Sequence, residues 1–179
     1  MENENYTLGW YLVAFLDVLG QRKRFRQLRL PKTQEEYLSV QEVLRNTVGF
    51  VSRLRDVFCD VFRGQFEALQ AGVLNSKPVE ENFLPPDFLG FSDSFIASVA
   101  LRNEDQHLAA NIKVFATLSA ACIVMLTSLA SKHALRGGID IGLAAELSPG
   151  EIYGSALEGA YRLESCQAEY PRVLIGDEL

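Results

Sequence analysis

The chain has 179 residues, a net charge of −6 and 48% hydrophobic residues. That length fits one domain and that hydrophobic share fills a real core. The acidic balance argues against a nucleic-acid partner, because such domains are usually basic. Cys59, Cys122 and Cys166 are far apart, odd in number and without metal-ligand spacing, which fits a reducing, cytoplasmic setting.

In chain order, the polar start (residues 1–7) lacks a basic region and is no signal peptide. Leu8–Val18 reads as a strand rich in aromatic and aliphatic residues, and Gly20 breaks it. The basic stretch Arg22–Arg29 predicts a short helix or turn before Pro31. Thr33–Leu69 predicts a long helical region, with Thr33 and Glu36 as a capping box. Gln70–Pro86 carries Gly72, Asn75, Pro78, Pro85 and Pro86 and predicts a loop. Phe88–Leu101 reads as a hairpin turning near Ser92-Asp93. Glu104–His133 is a second long helix. Its segment Ala109–Ala130 is strongly apolar, but Asn111, Lys113 and several small polar residues interrupt it, so it reads as a buried helix and no membrane partner is expected. Ala134–Leu143 is a strand, Ala145–Ile152 mostly turn around Pro149-Gly150, Ser155–Cys166 a helix and Arg172–Ile175 a last strand. This order predicts a single α+β domain over residues 1–179: a ferredoxin-like antiparallel sheet with helices packed on one face.

Two residues are out of place in that pattern. Asp17 and Asp93 each lie at the end of, or inside, an apolar β-type run, where an unpaired carboxylate is costly to bury. Carried on adjacent strands, they would make a hard, oxygen-lined site for divalent cations. A two-metal site of that kind activates a nucleophile and neutralises phosphates. The plainer reading of Asp17 is a strand-end turn or cap. Phe15 lies two residues before Asp17 and shares its strand face, whether to border a ligand or to pack in the core. His107 and His133 are too far apart to share a metal.

Five segments resemble class III nucleotide cyclases in the same order, covering most of the chain. They are FLDVLG (15–20), FSDSFIAS (91–98), LRGGIDIGLAAE (135–146), YGSALEGAYRLES (153–165) and VLIGDEL (173–179). The wording is most similar to the bacterial pyrimidine cyclases of the Pycsar antiphage system. The resemblance implies conversion of UTP to cyclic UMP, or of CTP to cyclic CMP, by attack of the ribose 3′-hydroxyl on the α-phosphate. It implies two Mn²⁺ or Mg²⁺ ions per site, held by Asp17 and Asp93 with the Val18 carbonyl as a further ligand. Leu19 and Gly20 would turn backbone amides toward phosphate oxygens, against the alternative of an ordinary strand-to-helix turn. Arg22 and Arg26 match the pyrimidine branch's spacing of Arg or Tyr, three residues, then Arg; their alternative is a solvated basic face.

Arg162 matches the family's transition-state arginine, with a surface ion pair to Glu158 as the alternative. Glu158 stands where the family carries asparagine, and would orient Arg162 or act on the substrate in another way. Leu89 stands where purine cyclases place a base-selecting lysine. Ser92 replaces the usual glycine of the second metal hairpin, and Arg136 matches the strand pattern without a role. The family implies a head-to-tail homodimer with shared sites, in which the Gly- and Ala-rich run Arg136–Ala160 could serve the interface. It also implies an effector activated by the cyclic nucleotide. The chain ends where class III domains continue with a further helix and hairpin, so a C-terminal truncation or a shorter branch is expected. The rival readings are a catalytically inactive cyclase-like domain that binds nucleotide or dimerises, and a diguanylate-cyclase-like enzyme, against which FSDSF argues.

Overall fold

The computed structural model describes residues 7–74, 84–101, 107–148 and 151–179. β1 (Thr7–Val18) is the central strand, flanked antiparallel by β3 (Ser94–Ala100) and β4 (Leu135–Ser148). β2 (Asp87–Phe91) pairs outside β3, giving the order β2-β3-β1-β4-β5, with β5 (Glu151–Gly154) beyond β4. The first four strands and the two long helices between them make the ferredoxin-like pattern expected from sequence.

Alternation along β1 separates two cores. Leu12, Ala14, Leu16 and Val18 face α3 (Val48–Leu74) and α4 (His107–Ala130), meeting Phe50, Leu54, Phe58, Phe62, Ala116, Ala120 and Val124. Tyr11, Val13 and Phe15 face the other way and meet Ala156 and Ala160 of α5 (Ser155–Arg162). A strand covered on both faces reads as a continuous apolar run, as β1 does. The long helices share one face, and the short α5 adds a helix on the opposite one.

The structure corrects several expectations. The region Thr33–Leu69 is two helices, α2 (Gln34–Asn46) and α3, broken at buried Thr47. The Thr47 hydroxyl donates back to the Val43 carbonyl at 2.7 Å, and its own carbonyl starts α3 by accepting from Phe50 and Val51. Thr33 caps α2 by accepting from the Glu36 amide, but the Glu36 carboxylate accepts from Lys32 rather than from Thr33. α3 runs on to Leu74 through the start of the expected loop; residues 75–83 lie outside the described set. Of the expected turn at Ala145–Ile152, residues 145–148 are the end of β4 and 151–152 the start of β5, which pair antiparallel through Ala144–Ser148 with a bulge between Glu146 and Ser148; Pro149 and Gly150 lie outside the described set. β6 (Val173–Ile175) pairs parallel to β4, so the antiparallel sheet gains one parallel edge.

The glycines expected at an interface are used within the chain. A Cβ on Gly137 would meet Leu16, one on Gly142 would meet Ser155 and Ala156, and one on Gly138 would meet the Ala160 carbonyl and Leu163. Gly138 and Gly142 let α5 press onto β4, and Gly137 makes room for β1. α4 buries Ile112, Ala116, Ala120, Ala121 and Val124, yet leaves Phe115, Ile123, Leu126 and Leu129 exposed. Among the described residues it is the one helix long and apolar enough to cross a membrane, by length and composition only. Replacing Gly138 by alanine is expected to cost about 1–3 kcal/mol through overpacking, read as a lower urea midpoint at unchanged slope.

Candidate functional site

Asp17 ends β1, and the register sets Ser94 beside it on β3 and Arg136 beside it on β4. It is 5% exposed, so its charge is satisfied locally. The Ser94 hydroxyl donates to Asp17 Oδ1 at 2.8 Å. Arg136 Nε lies 3.4 Å from Asp17 Oδ2 and 2.6 Å from Glu164 Oε1. The Nε–H is not aligned for a hydrogen bond, so both contacts are ionic. Glu164 is 3% exposed and sits in a wide helical turn, Leu163–Gln167, that continues α5.

Asp93 is the second residue of the two-residue turn between β2 and β3. Its carbonyl accepts from the Val18 amide at 3.1 Å, which ties the turn to the end of β1. Ser92, the first turn residue, takes a left-handed φ of 58°, the conformation that favours the glycine missing here. Asp93 is also 5% exposed, and among the described residues none gives its carboxylate a hydrogen bond or an ion pair.

Both aspartates line one cleft of about 460 Å³, together with Phe15, Phe25, Arg26, Phe91, Arg136, Tyr161 and Glu164. Phe15 and Tyr161 meet edge-to-face with ring centroids 5.5 Å apart, so Tyr161 is a wall of the cleft as well as a packing residue. This donor set fits a hard dication. It offers two nearly buried carboxylates, one of them without a protein cation beside it, in a cleft open to further oxygen ligands. Among the described residues, no group of three or more His, Cys, Asp or Glu is placed to hold a metal ion, so the protein offers two carboxylates at most.

The remaining residues singled out in the sequence divide three ways. The Val18 side chain is buried on the opposite face, so only its backbone can reach toward the cleft. The Leu19 amide donates to the Ala134 carbonyl at 2.8 Å, and Gly20 takes a φ of 87°; neither residue lines the cleft. Arg22 opens α1 (Arg22–Gln27), and its side chain lies outside the described set. Glu158 and Arg162 line a different cleft, of about 440 Å³, with Trp10, Asp140, Gly142, Leu143 and Glu178. Among the described residues, Glu158 and Arg162 form no ion pair.

Sequence reading missed Glu164 and left Arg136 without a place. Both depend on strand register and on a contact 28 positions apart, which no local pattern displays. α1 is positioned by buried Gln21, whose Nε2 donates to His133 Nδ1 at 3.2 Å. His133 follows α4, stacks on Phe50 at 4.4 Å, and has its pKa lowered by burial and then by the Arg24 charge.

No protein-family model and no curated protein sequence matches the chain. Among solved structures, it is similar to the adenylyl cyclase CyaB from P. aeruginosa, with TM-score 0.60 and 16% identity, covering 97% of this chain and 80% of that one. Two structures of a bacterial light-regulated adenylyl cyclase match at TM-scores 0.51 and 0.50 with 16% and 18% identity. Each covers 96% of this chain, which spans 44% of theirs. The chain has the class III nucleotide cyclase fold.

Two outcomes follow from the site's backbone and its flanking histidine. Ser92→Gly relieves a left-handed φ and is expected to raise stability by about 0.5–1 kcal/mol in chemical denaturation. The lowered His133 pKa means that stability is fully present above the ordinary histidine value of 6.5 and is lost as pH falls through the folded value. Thermal melts from pH 7.5 to pH 5 should fall less steeply for His133→Gln than for wild type.

Proposed function

We propose that the chain is a nucleotide cyclase working as a head-to-tail homodimer, with UTP as its substrate and cyclic UMP and pyrophosphate as its products. The observation that carries this reading is the division of the site. Asp17 and Asp93 line one cleft, while Glu158 and Arg162 line another. A second copy, reversed, would bring the Arg162 cleft of one protomer against the aspartate cleft of its partner, making two equivalent sites.

In each site Asp17 and Asp93 would hold Mn²⁺ or Mg²⁺, with the Val18 carbonyl in reach as a backbone ligand. Bound there, the ions neutralise triphosphate charge and acidify the ribose 3′-hydroxyl. The 3′-oxygen would give its proton to solvent water and bond to the α-phosphorus, while the bond from that phosphorus to the oxygen bridging it to the β-phosphorus breaks and pyrophosphate leaves. Arg162 presents a guanidinium to the charge that grows on the α-phosphate oxygens. Glu158 stands one turn before it on α5 and would orient it or meet the ribose. Phe15 and Tyr161 give the cleft an aromatic wall, and Arg26 supplies a donor to a uracil carbonyl or a phosphate oxygen; Arg22 is proposed beside it from sequence.

Pyrimidine choice is supported by Leu89. It is 44% exposed on β2 at the position of a purine-selecting lysine and offers an adenine no hydrogen-bond partner. Cyclic UMP would then act through a cyclic-nucleotide-responsive effector in a cytoplasmic antiphage response. That the similar structures are adenylyl cyclases supports a second reading with ATP as substrate.

The test is incubation with Mn²⁺ and each of the four nucleoside triphosphates, followed by mass spectrometry of the products. Cyclic UMP is expected from UTP, and Asp93→Ala should reduce it by three orders of magnitude or more, as removal of a metal ligand would ( on the order of 10³). Preference for ATP overturns the pyrimidine assignment, and undiminished product from Asp93→Ala overturns the metal role. Mixing inactive Asp93→Ala with inactive Arg162→Ala should recover about a quarter of wild-type activity, since half the dimers regain one intact site of two. No recovery would refute the shared site.

A further inference from the structure

Arg136 and Glu164 are the two charged groups of the aspartate cleft that the proposed chemistry leaves unused. Among the described residues Glu164 is the most buried charged group, 3% exposed, and the fold goes to some length to put it there. The close approach at Gly138 sets the Glu164 amide 3.0 Å from where a Cβ would stand. The wide turn then aims the carboxylate at β4. Arg136 Nε answers unevenly, at 2.6 Å to Glu164 and 3.4 Å to Asp17.

That inequality bears on any cation at Asp17. A guanidinium keeps its proton at every working pH, so it is a fixed positive charge beside a carboxylate that would have to bind a dication. Left to itself, Arg136 would compete for Asp17. Glu164 draws it away.

We infer that Glu164 is a positioning residue which holds the Arg136 charge off Asp17, so that the buried pair orients the Asp17 carboxylate without competing with a divalent cation there. The inference rests on the reading of Asp17 and Asp93 as cation ligands. With the pair intact, the four groups carry two net negative charges. Glu164→Gln leaves one, and frees Arg136 to close on Asp17. Arg136→Gln leaves three. The double substitution returns to two. Outer partners of metal ligands commonly change metal affinity by about 10- to 100-fold when altered. Here the two single substitutions must act in opposite directions, which a merely structural salt bridge would not produce.

The experiment is titration calorimetry of the full chain with MnCl₂ alone, beside a melting curve for each variant. Glu164→Gln is expected to weaken Mn²⁺ binding about tenfold or more. Arg136→Gln should bind at least as tightly as wild type, and Arg136→Gln/Glu164→Gln should match wild type. Equal weakening by both single variants, or a double variant as weak as Glu164→Gln, overturns the inference. If Glu164→Gln does not fold, the double variant decides alone: it keeps the wild-type net charge of the four groups, and tenfold weaker binding in it overturns the inference. Asp17→Asn separates the two levels. If it binds Mn²⁺ as wild type does, the cation reading falls and takes this inference with it. If it abolishes binding while Glu164→Gln binds normally, this inference alone falls.

Discussion

A carboxylate at the end of a strand covered on both faces is the constraint that the neighbourhood of this site answers. Asp17 stands in the middle of the sheet, 5% exposed, where an uncompensated charge would cost several kcal/mol. Its neighbours in register supply the compensation: Ser94 with a hydroxyl from β3 and Arg136 with a guanidinium from β4. Arg136 is itself balanced by Glu164, and Glu164 reaches it because glycines on β4 admit α5 and its continuation at van der Waals distance. Sequence features that look unrelated, a serine in a hairpin, two glycines in a strand and a glutamate after a helix, are thus parts of one charge balance.

The same geometry explains why one chain holds two unlike clefts. α5 turns its alanines onto the sheet and sends Glu158 and Arg162 outward, while the wide turn that follows sends Glu164 inward to the aspartates. Asp17 and Asp93 are brought together by backbone rather than by side chains. The Asp93 carbonyl is bonded to the Val18 amide, so the β2–β3 turn and the end of β1 move as one piece. Two nearly buried carboxylates thus line one cleft at the end of β1.

Much of this was legible in the sequence where periodicity is local. β1, the β2–β3 hairpin, α4 and the ferredoxin-like order follow from apolar alternation and helical spacing, and the two aspartates stood out because they broke an apolar pattern. What depended on distance was hidden. Nothing near Arg136 announces that it lies opposite Asp17, and nothing near Glu164 announces that it meets Arg136. The β4–β5 hairpin was obscured because Pro149-Gly150 reads as a turn, and the flanking Ala145 and Glu146 have weak strand character. Thr47 breaks the long helical region through a hydroxyl bond to its own preceding turn, an interaction that spacing of apolar residues cannot register. Within the Gly- and Ala-rich run, Gly137, Gly138 and Gly142 make close contacts inside the chain, which strand and helix periodicity do not display.

α5 and the turn after it form a lever with an arm in each cleft, and its fulcrum is the seat of Ala156 and Ala160 against Gly138 and Gly142. Arg162 and Glu164 stand only two positions apart on that segment, so a shift of its seat carries both along together. A methyl inserted at Gly138 would therefore reach the charged groups of both clefts at once, without touching either aspartate.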